Sequence, residues 1–274
     1  MRVVNRKLEK IRCKRVAEGQ GVFSASEAQK EIGVSRGAFL DAAERLQRRG
    51  QLIRPRRGFY VIVPPQYATM GAPPPEWYID ALMRHEKRPY YVGLLSAAAA
   101  HGASHQAAMA FQVVTGKLLP DIEAGRTRIA FTYRKDMSAV AAGIEDHKTP
   151  SGYMKLSSPE LTALDLVRYP HSGGGLDNIA TVLSELAEKL QAKRLACLSG
   201  AFEKAVVQRL GHLLGRLEYM DRAEAMFAAL SARGVLPWVE LDPKQAGDPD
   251  LSPPVSERDK RWRVIVRRPP EADE

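Results

Sequence analysis

The chain has 274 residues, a net charge of +9, and 45% hydrophobic but only 7% aromatic residues. At roughly 100–200 residues per domain, this length suggests two domains or three small ones. No apolar run approaches the ~18–20 residues of a membrane span, and the charged N-terminal stretch excludes the apolar region of a signal peptide. We therefore expect a cytoplasmic protein. Cys13 and Cys197 are expected to be free thiols, since two cysteines alone cannot complete a zinc site.

The excess positive charge is concentrated near the N-terminus. Residues 1–63 contain 15 Lys and Arg against 6 Asp and Glu, a net of +9, whereas the remaining residues contain 26 of each sign. A surface that meets phosphates needs such an asymmetry, because each neutralised phosphate releases condensed counterions. The charge distribution therefore indicates a nucleic-acid-binding module within the first 63 residues.

Two short helices are predicted at the start of this module. An apolar stripe at helical spacing predicts a first helix over residues 6–16. Ser24 and Glu27 then have the spacing of a capping box, in which each residue satisfies a backbone amide of the other. This box predicts a second helix that ends at Ile32.

The third predicted helix has the features of a recognition helix. It covers residues 36–49 and is followed by the stop signal Gly50. Its apolar face consists of Phe39, Ala42, Ala43 and Leu46. Its opposite face consists of Gly37, Asp41, Glu44, Arg45 and Arg48. Because the start of such a helix usually meets base edges in the major groove, we predict DNA contacts by the N-cap and by residues of the open face. These residues are Ser35, Arg36, Gly37, Arg45 and Arg48.

A β-hairpin is predicted after the third helix. Residues 51–54 and 59–63 have the pattern of two strands, joined by a turn that contains Pro and Gly. The hairpin carries Arg54, Arg56 and Arg57, whose guanidinium groups suit phosphates or a narrow minor groove. The module is therefore predicted to be a winged helix-turn-helix that binds double-stranded DNA. A winged helix that binds protein remains the alternative.

The rest of the chain is predicted to form a linker and a second domain. Residues 64–75 contain five prolines and are expected to form a partly extended linker, so that the second domain spans residues 76–274. Predicted strands of this domain cover residues 111–115, 128–133 and 153–156. A helix is expected to open at Pro159, and two or three amphipathic helices follow between residues 176 and 233. An edge strand is predicted over residues 262–267.

Two residue sets have part of the pattern of a metal site. His101 and His105 would share one helix face, but no third ligand is nearby. Asp121, Glu145 and Lys148 resemble the carboxylate–lysine set of a nuclease. In that set the Glu-to-Lys gap is one residue longer than the E-x-K pattern, which would send the two side chains to opposite strand faces. We therefore expect no metal ion and no catalytic residues.

Four segments of the chain carry a family resemblance. They are RRGFY at residues 56–60, YYVGLLSAAAAHG at 90–102, SSPELTALDLVRY at 157–169 and QRLGHLLGRL at 208–217. In this order they resemble the AbiEi family of type IV antitoxins from bacterial toxin–antitoxin systems, over roughly residues 1–220. The resemblance implies a protein that represses its own operon by binding inverted repeats in the promoter. It also implies a C-terminal domain that counters a nucleotidyltransferase-like toxin without a stable complex.

The expected fold is α+β, with an N-terminal winged helix-turn-helix joined to a larger mixed α/β antitoxin domain that has a helical distal part. The leading hypothesis is a non-enzymatic, cofactor-free antitoxin and autorepressor of an abortive-infection system for phage defence. One alternative is a stand-alone regulator whose second domain senses a ligand or a partner; the absence of a neighbouring nucleotidyltransferase gene would favour it. The other is a nuclease acting through Glu145, whose signature would be magnesium-dependent cleavage that Glu145→Gln abolishes.

Overall fold

The structure is a computed structural model that describes residues 2–103, 109–246 and 253–271. The chain divides into two compact units. Unit 1 comprises Met1–Tyr91, Met109–Lys135 and Asp146–Lys155. Unit 2 comprises Val92–Ala108, Asp136–Glu145 and Leu156–Glu274. The region predicted as one second domain therefore contributes residues to both units.

The N-terminal part of unit 1 is a winged helix-turn-helix. Its elements are α1 (Arg2–Ala17), β1 (Val22–Ser24), α2 (Ala25–Ile32), α3 (Arg36–Arg48), β2 (Leu52–Arg56) and β3 (Phe59–Ile62). The three strands form an antiparallel sheet in the order β1-β3-β2. The three helices and the hairpin confirm the prediction, whereas β1 is an additional strand of only three residues, too short to show a pattern in the sequence.

The helices form because their apolar faces meet one shared core. Leu8 of α1 and both Phe39 and Leu46 of α3 are fully or almost fully buried in it. Tyr60 of β3 lies at the centre of the core, stacked on Phe23 and edge-on to Phe39, with ring centroids 5.5 Å apart in both pairs. The core therefore fixes α3 and the wing strand against each other.

Capping residues fix both ends of α2 and the start of α3. The Ser24 hydroxyl accepts a hydrogen bond from the Glu27 amide at 3.1 Å, and the Glu27 carboxylate accepts one from the Ser24 amide at 2.9 Å. This is the predicted capping box. Helix α2 ends at Gly33, whose φ of +67° lies in the left-handed region that glycine adopts without strain. Ser35 then caps α3 two residues later.

The proline-rich residues 64–75 pack within unit 1. Two 3-10 turns lie near their ends, over Pro65–Tyr67 and Pro75–Trp77. Ala72 and Pro73 are buried. The backbones of Gly71 and Gly125 are in close contact. A Cβ placed on Gly71 would lie only 2.9 Å from the Cα of Gly125. The segment is therefore held in place by its contacts with unit 1.

A six-stranded sheet follows in the order β6-β7-β5-β4-β9-β8. The elements of this region are α4 (Ile79–His85), β4 (Tyr90–Val92), α5 (Leu94–Ala100), β5 (Phe111–Thr115), β6 (Ile122–Ala124), β7 (Thr127–Tyr133), β8 (Ile144–Thr149) and β9 (Gly152–Ser157). Strands β5 and β7 are parallel, as are β4 and β9, whereas β6 and β7 are antiparallel. The three strands predicted from the sequence are thus confirmed as β5, β7 and β9.

The distal part of unit 2 is helical. It contains α6 (Pro159–Arg168), α7 (Leu176–Leu186), α8 (Ala192–Ser199), α9 (Lys204–Arg216), α10 (Met220–Ser231), β10 (Val239–Glu240), β11 (Glu257–Asp259) and β12 (Val264–Val266). Four helices therefore lie where two or three were predicted. The prediction of a final edge strand is wrong, because β12 is the central strand of a small sheet, between β10 and β11. Those neighbours are only two and three residues long, too short to show a strand pattern in the sequence.

Candidate nucleic-acid interface

The start of α3 presents its backbone and one cation to solvent. The Ser35 hydroxyl accepts a hydrogen bond from the Ala38 amide at 3.4 Å, which fixes the first turn of the helix. Arg36 and Gly37 follow in that turn and are exposed. A Cβ on Gly37 would meet no atom within 4 Å, so the helix surface is open at this position. The structure therefore brings these three predicted DNA contacts together at one helix end.

The rest of α3 has the two faces that the sequence predicted. Its four apolar residues are buried, whereas Asp41 and Glu44 are exposed. Arg45 is half-buried. Arg48 is exposed and forms an ion pair with Glu44, with 2.6 Å between its Nη2 and the carboxylate Oε1. Arg48 would have to leave Glu44 to reach a phosphate.

Two arginines of the wing are exposed. Arg54 lies on β2, and Arg57 lies in the turn that leads to β3. Neither side chain forms an ion pair with any residue that the structure describes. Gly58 completes the turn with a φ of +80°, a conformation that strongly favours glycine. The wing thus presents two guanidinium groups that are available to an anionic partner.

Arg56 differs from the other two wing arginines, because its side chain turns into unit 1. Its Nη2 donates to the carbonyl oxygen of Pro120, its Nε lies 3.9 Å from the Glu86 carboxylate, and the guanidinium lies 5.5 Å from the Phe131 ring centre. Burial lowers the pKa of Arg56, and the charges of Glu86 and Asp121 partly oppose that shift. Arg56 therefore supports the wing from within, and its guanidinium group does not share the exposure of Arg54 and Arg57.

The end of α4 also contacts the wing, a contact that the sequence analysis missed. His85 Nε2 is hydrogen-bonded to the carbonyl oxygen of Arg57 at 3.1 Å, and the rings of His85 and Phe59 lie 5.4 Å apart. Two exposed cations, Lys87 and Arg88, follow directly in the chain. No sequence pattern links residue 57 to residue 85, so only the fold could reveal this proximity.

The charge of the chain divides unequally between the units. Unit 1 contains 25 Lys and Arg against 12 Asp and Glu, a net of +13. Unit 2 contains 16 against 20, a net of −4. The neutral balance found beyond residue 63 therefore conceals two opposite contributions, and the excess positive charge of unit 1 is not confined to the winged helix.

A groove of about 850 Å³ lies within unit 1, beside the end of α1. Its acidic and basic lining residues include Arg15, Glu27, Glu76, Asp80, Arg84, Asp146 and Lys155. Ion pairs of 2.8 Å join Asp80 to Arg84 and Asp146 to Lys155. The groove therefore offers phosphates no excess of positive charge, unlike the wing and the start of α3.

The residues with partial metal-site patterns are engaged elsewhere. Asp121 accepts hydrogen bonds from Arg128 Nε at 3.0 Å and Nη2 at 2.6 Å, and Glu145 pairs with Arg194. His101 Nε2 lies 2.7 Å from the carbonyl oxygen of Ser157, while His105 lies outside the described residues. In the described part of the chain, no group of three or more His, Cys, Asp or Glu could hold a metal ion. Both cysteines are free and exposed, as predicted.

Two family models match the chain. The AbiEi antitoxin C-terminal domain matches residues 91–216, and a second model, described as a transcriptional regulator and AbiEi antitoxin, matches residues 14–63. Together the two matches span more than half of the sequence. The chain belongs to the AbiEi antitoxin family. This membership confirms the resemblance and gives the protein the antitoxin and regulator role that the family models describe.

A solved structure supports the fold. The crystal structure of the Rv2827c protein from Mycobacterium tuberculosis is similar, with a TM-score of 0.68 and 15% sequence identity over 95% of this chain and 91% of that chain. At this identity the likeness shows the α+β fold alone. No curated relative matches the chain. Among the helices of the described ranges, none is long and apolar enough to cross a membrane.

Proposed function

We propose that this AbiEi-family protein is a type IV antitoxin that also represses its own operon. In this proposal the winged helix binds inverted repeats in the promoter, and the C-terminal domain counters a nucleotidyltransferase-like toxin in the cytoplasm without a stable complex. The chain would act as a binding protein, with no cofactor and no catalytic residues. The toxin part rests on family membership, whereas the DNA part also rests on the geometry of unit 1.

The main support for DNA binding is the arrangement of exposed cations on the winged helix. The first turn of α3 offers Ser35, Arg36 and Gly37, and the start of a recognition helix is where base edges are usually met in the major groove. Arg54 and Arg57 would meet phosphates or the minor groove beside it. Arg45 and Arg48 lie further along α3 and would bind the flanking phosphates.

Operator binding is the first test. The full chain is titrated against duplex DNA from upstream of its own gene, and against a scrambled duplex, over a series of salt concentrations. We expect a preference of ~10³-fold or more for the native duplex, and a steep loss of affinity as salt rises. Equal, weak binding to both duplexes would reject the autorepressor and leave only a basic surface.

Variants of the wing test the assigned contacts. Arg57→Ala should weaken binding to all sequences alike and reduce the slope of log affinity against log salt by about one, as expected for the loss of one phosphate contact. Lys148→Ala is the matched control, because Lys148 is an exposed cation on β8, at the opposite edge of the sheet from β6 and β7. An unchanged slope in Arg57→Ala would reject the wing assignment.

The antitoxin part is tested in cells that express the neighbouring toxin gene. The full chain should restore growth, and the double variant Arg36→Ala/Arg57→Ala should restore it equally while failing to repress a promoter reporter. Co-purification should recover no stable complex of the two proteins. A growth defect that the wild-type chain does not relieve would reject the toxin–antitoxin assignment without affecting the DNA-binding result.

A further inference from the structure

We propose that the DNA interface extends beyond the winged helix to the turn after α4, where Lys87 and Arg88 bind backbone phosphates beside the wing. This inference rests on the proposed function, since it adds a second segment to the same interface. It assigns a DNA-binding role to part of the chain that lies outside the helix-turn-helix and its hairpin.

The end of α4 is joined to the wing by successive residues. His85 is hydrogen-bonded to the carbonyl oxygen of Arg57, and its ring lies so close to the wing turn that a Cβ on Gly58 would be 3.7 Å from the His85 Cε1. The next residue, Glu86, faces the guanidinium of Arg56. These contacts hold the turn beside the tip of the wing, so a duplex that touches Arg57 passes close to the residues that follow Glu86.

The following two residues are cations that the fold itself does not use. Lys87 and Arg88 are exposed, and neither forms an ion pair with any residue in the described ranges. The acidic neighbour Glu86 is already engaged by Arg56. Because duplex DNA carries one negative charge per about 1.7 Å of its axis, these cations would meet phosphates beyond those that Arg54 and Arg57 neutralise.

The backbone at Lys87 gives an independent argument. The amide of Lys87 donates to the Arg84 carbonyl and the amide of Arg88 donates to the Met83 carbonyl, both at 3.1 Å, which is the hydrogen-bond pattern of a Schellman motif at a helix end. Lys87 occupies the left-handed position of that motif with a φ of +53°, where glycine is usual because any other residue is strained. A lysine at a position where glycine would suit the fold better is consistent with a use for its side chain outside the fold.

The charge of unit 1 agrees with this assignment. Outside residues 1–63, unit 1 carries ten Lys and Arg against six Asp and Glu, a net of +4, whereas unit 2 is negative. A positive surface that continues from the wing onto the next part of the same unit is what an extended phosphate contact requires.

The test compares operator binding by the full chain and four variants over a salt series. Lys87→Ala/Arg88→Ala should reduce the slope of log affinity against log salt by roughly 2 and weaken binding about 10–100-fold at 0.1 M salt, on operator and scrambled DNA alike. Lys87→Gly should lose about one unit of slope while its melting temperature stays equal or rises, because glycine suits the left-handed backbone. Arg57→Ala is the positive control, and Lys148→Ala should change nothing.

The outcomes separate this inference from the proposed function. If the double variant keeps the slope and affinity of the wild type while Arg57→Ala loses both, the extended interface is wrong and the winged-helix interface stands. An equal loss in Lys148→Ala would also overturn the inference, because the effect would then come from total charge. If the wild type does not prefer its operator, the proposed function and this inference both fall.

Discussion

The two units differ in their exposed arginines, although unit 1 also contains ion pairs that link separate segments of the chain, such as Arg15–Glu31 and Arg49–Glu9. In unit 2, arginines join separate elements through carboxylates. The pairs are Arg168–Glu203, Arg194–Glu145, Arg216–Glu257, Arg261–Glu224, Arg267–Glu240 and Arg268–Asp177. In unit 1, Arg36, Arg54, Arg57 and Arg88 are exposed and form no ion pair with any described residue. A guanidinium therefore cross-links the fold where a carboxylate lies within reach, and stays available for a partner where none does.

This difference predicts that stability and DNA affinity can be changed separately. These four exposed arginines of unit 1 form no ion pair within the described residues, so removing them should change binding and leave folding intact. Close packing, in contrast, determines the stability of each unit.

The largest effect is expected at Gly125, where unit 1 holds the proline-rich segment. A Cβ on Gly125 would lie 2.1 Å from the Met70 carbonyl oxygen and 2.7 Å from the Gly71 carbonyl carbon, and Gly125 itself has a φ of +59°. Because backbone atoms cannot easily move aside, Gly125→Ala should lower the free energy of unfolding by about 4 kcal/mol in urea denaturation. Gly21→Ala is the control, since a Cβ there meets no atom within 4 Å. A loss below about 1 kcal/mol would show that this contact is looser than described.

Unit 2 has a corresponding position at Gly211 of α9. A Cβ there would lie 2.1 Å from the ring of Trp262, which is almost fully buried, so the ring would have to leave its site. Gly211→Ala should therefore lower the free energy of unfolding by about 3 kcal/mol. Gly215→Ala, on the same helix with open space at the Cβ, should instead stabilise by up to about 1 kcal/mol.

Operator affinity of the folded Gly211→Ala protein should equal that of the wild type, because the change lies in unit 2. The measurement is made at a temperature at which the variant is folded, as judged by circular dichroism. A loss of affinity in this variant would contradict the separation of the two properties.

The winged helix could be predicted largely from the sequence because its signals are local. The capping residues Ser24 and Ser35 fall within a few residues of the helices that they start, and the apolar face of α3 has a clear helical period. The charge excess of residues 1–63 pointed to the same module. Each of these signals is complete within a short stretch of chain.

The parts that the sequence did not reveal depend on distant contacts. Arg56 has the same local context as Arg57, and only the position of Pro120 and Glu86 separates the inward side chain from the exposed one. The central place of β12 likewise depends on short strands elsewhere in unit 2. Contacts between residues far apart in the chain therefore decided which predicted site residues are available to DNA.

A smaller effect on stability is expected at Asp259, the last residue of β11 in the small sheet of unit 2. Asp259 accepts hydrogen bonds from His212 Nδ1 at 2.8 Å and from the amides of Arg261 at 2.9 Å and Trp262 at 3.0 Å. Burial alone would raise the pKa of Asp259, but these hydrogen bonds outweigh it and lower the pKa below its ordinary value of about 3.9. The carboxylate therefore stabilises the fold above about pH 4, and this contribution is lost as the pH falls through the lowered pKa.

Asp259→Asn should reduce the free energy of unfolding at pH 7 by about 1–2 kcal/mol, as expected for hydrogen bonds to a charged group. The difference from wild type should shrink below about pH 4, where the wild-type carboxylate also becomes neutral. Asp221→Asn, at an exposed aspartate beside Arg222, should show no comparable loss at pH 7. A difference that stays constant down to pH 2 would reject ionisation of Asp259 as its source.

The smallest effect on stability is expected at Arg48, whose ion pair with Glu44 lies within α3. Its side chain is 75% exposed and its partner Glu44 is 58% exposed, so Arg48→Ala should change the free energy of unfolding by no more than about 0.5 kcal/mol. Binding is the sharper measurement, because Arg48 must exchange Glu44 for a phosphate if it contacts DNA. Arg48→Ala should then lower the salt slope by about one, while Glu44→Ala should raise the affinity by freeing Arg48. Identical slopes in both variants and the wild type would show that Arg48 stays paired with Glu44, and would confine the cations of α3 that meet DNA to Arg36 and Arg45.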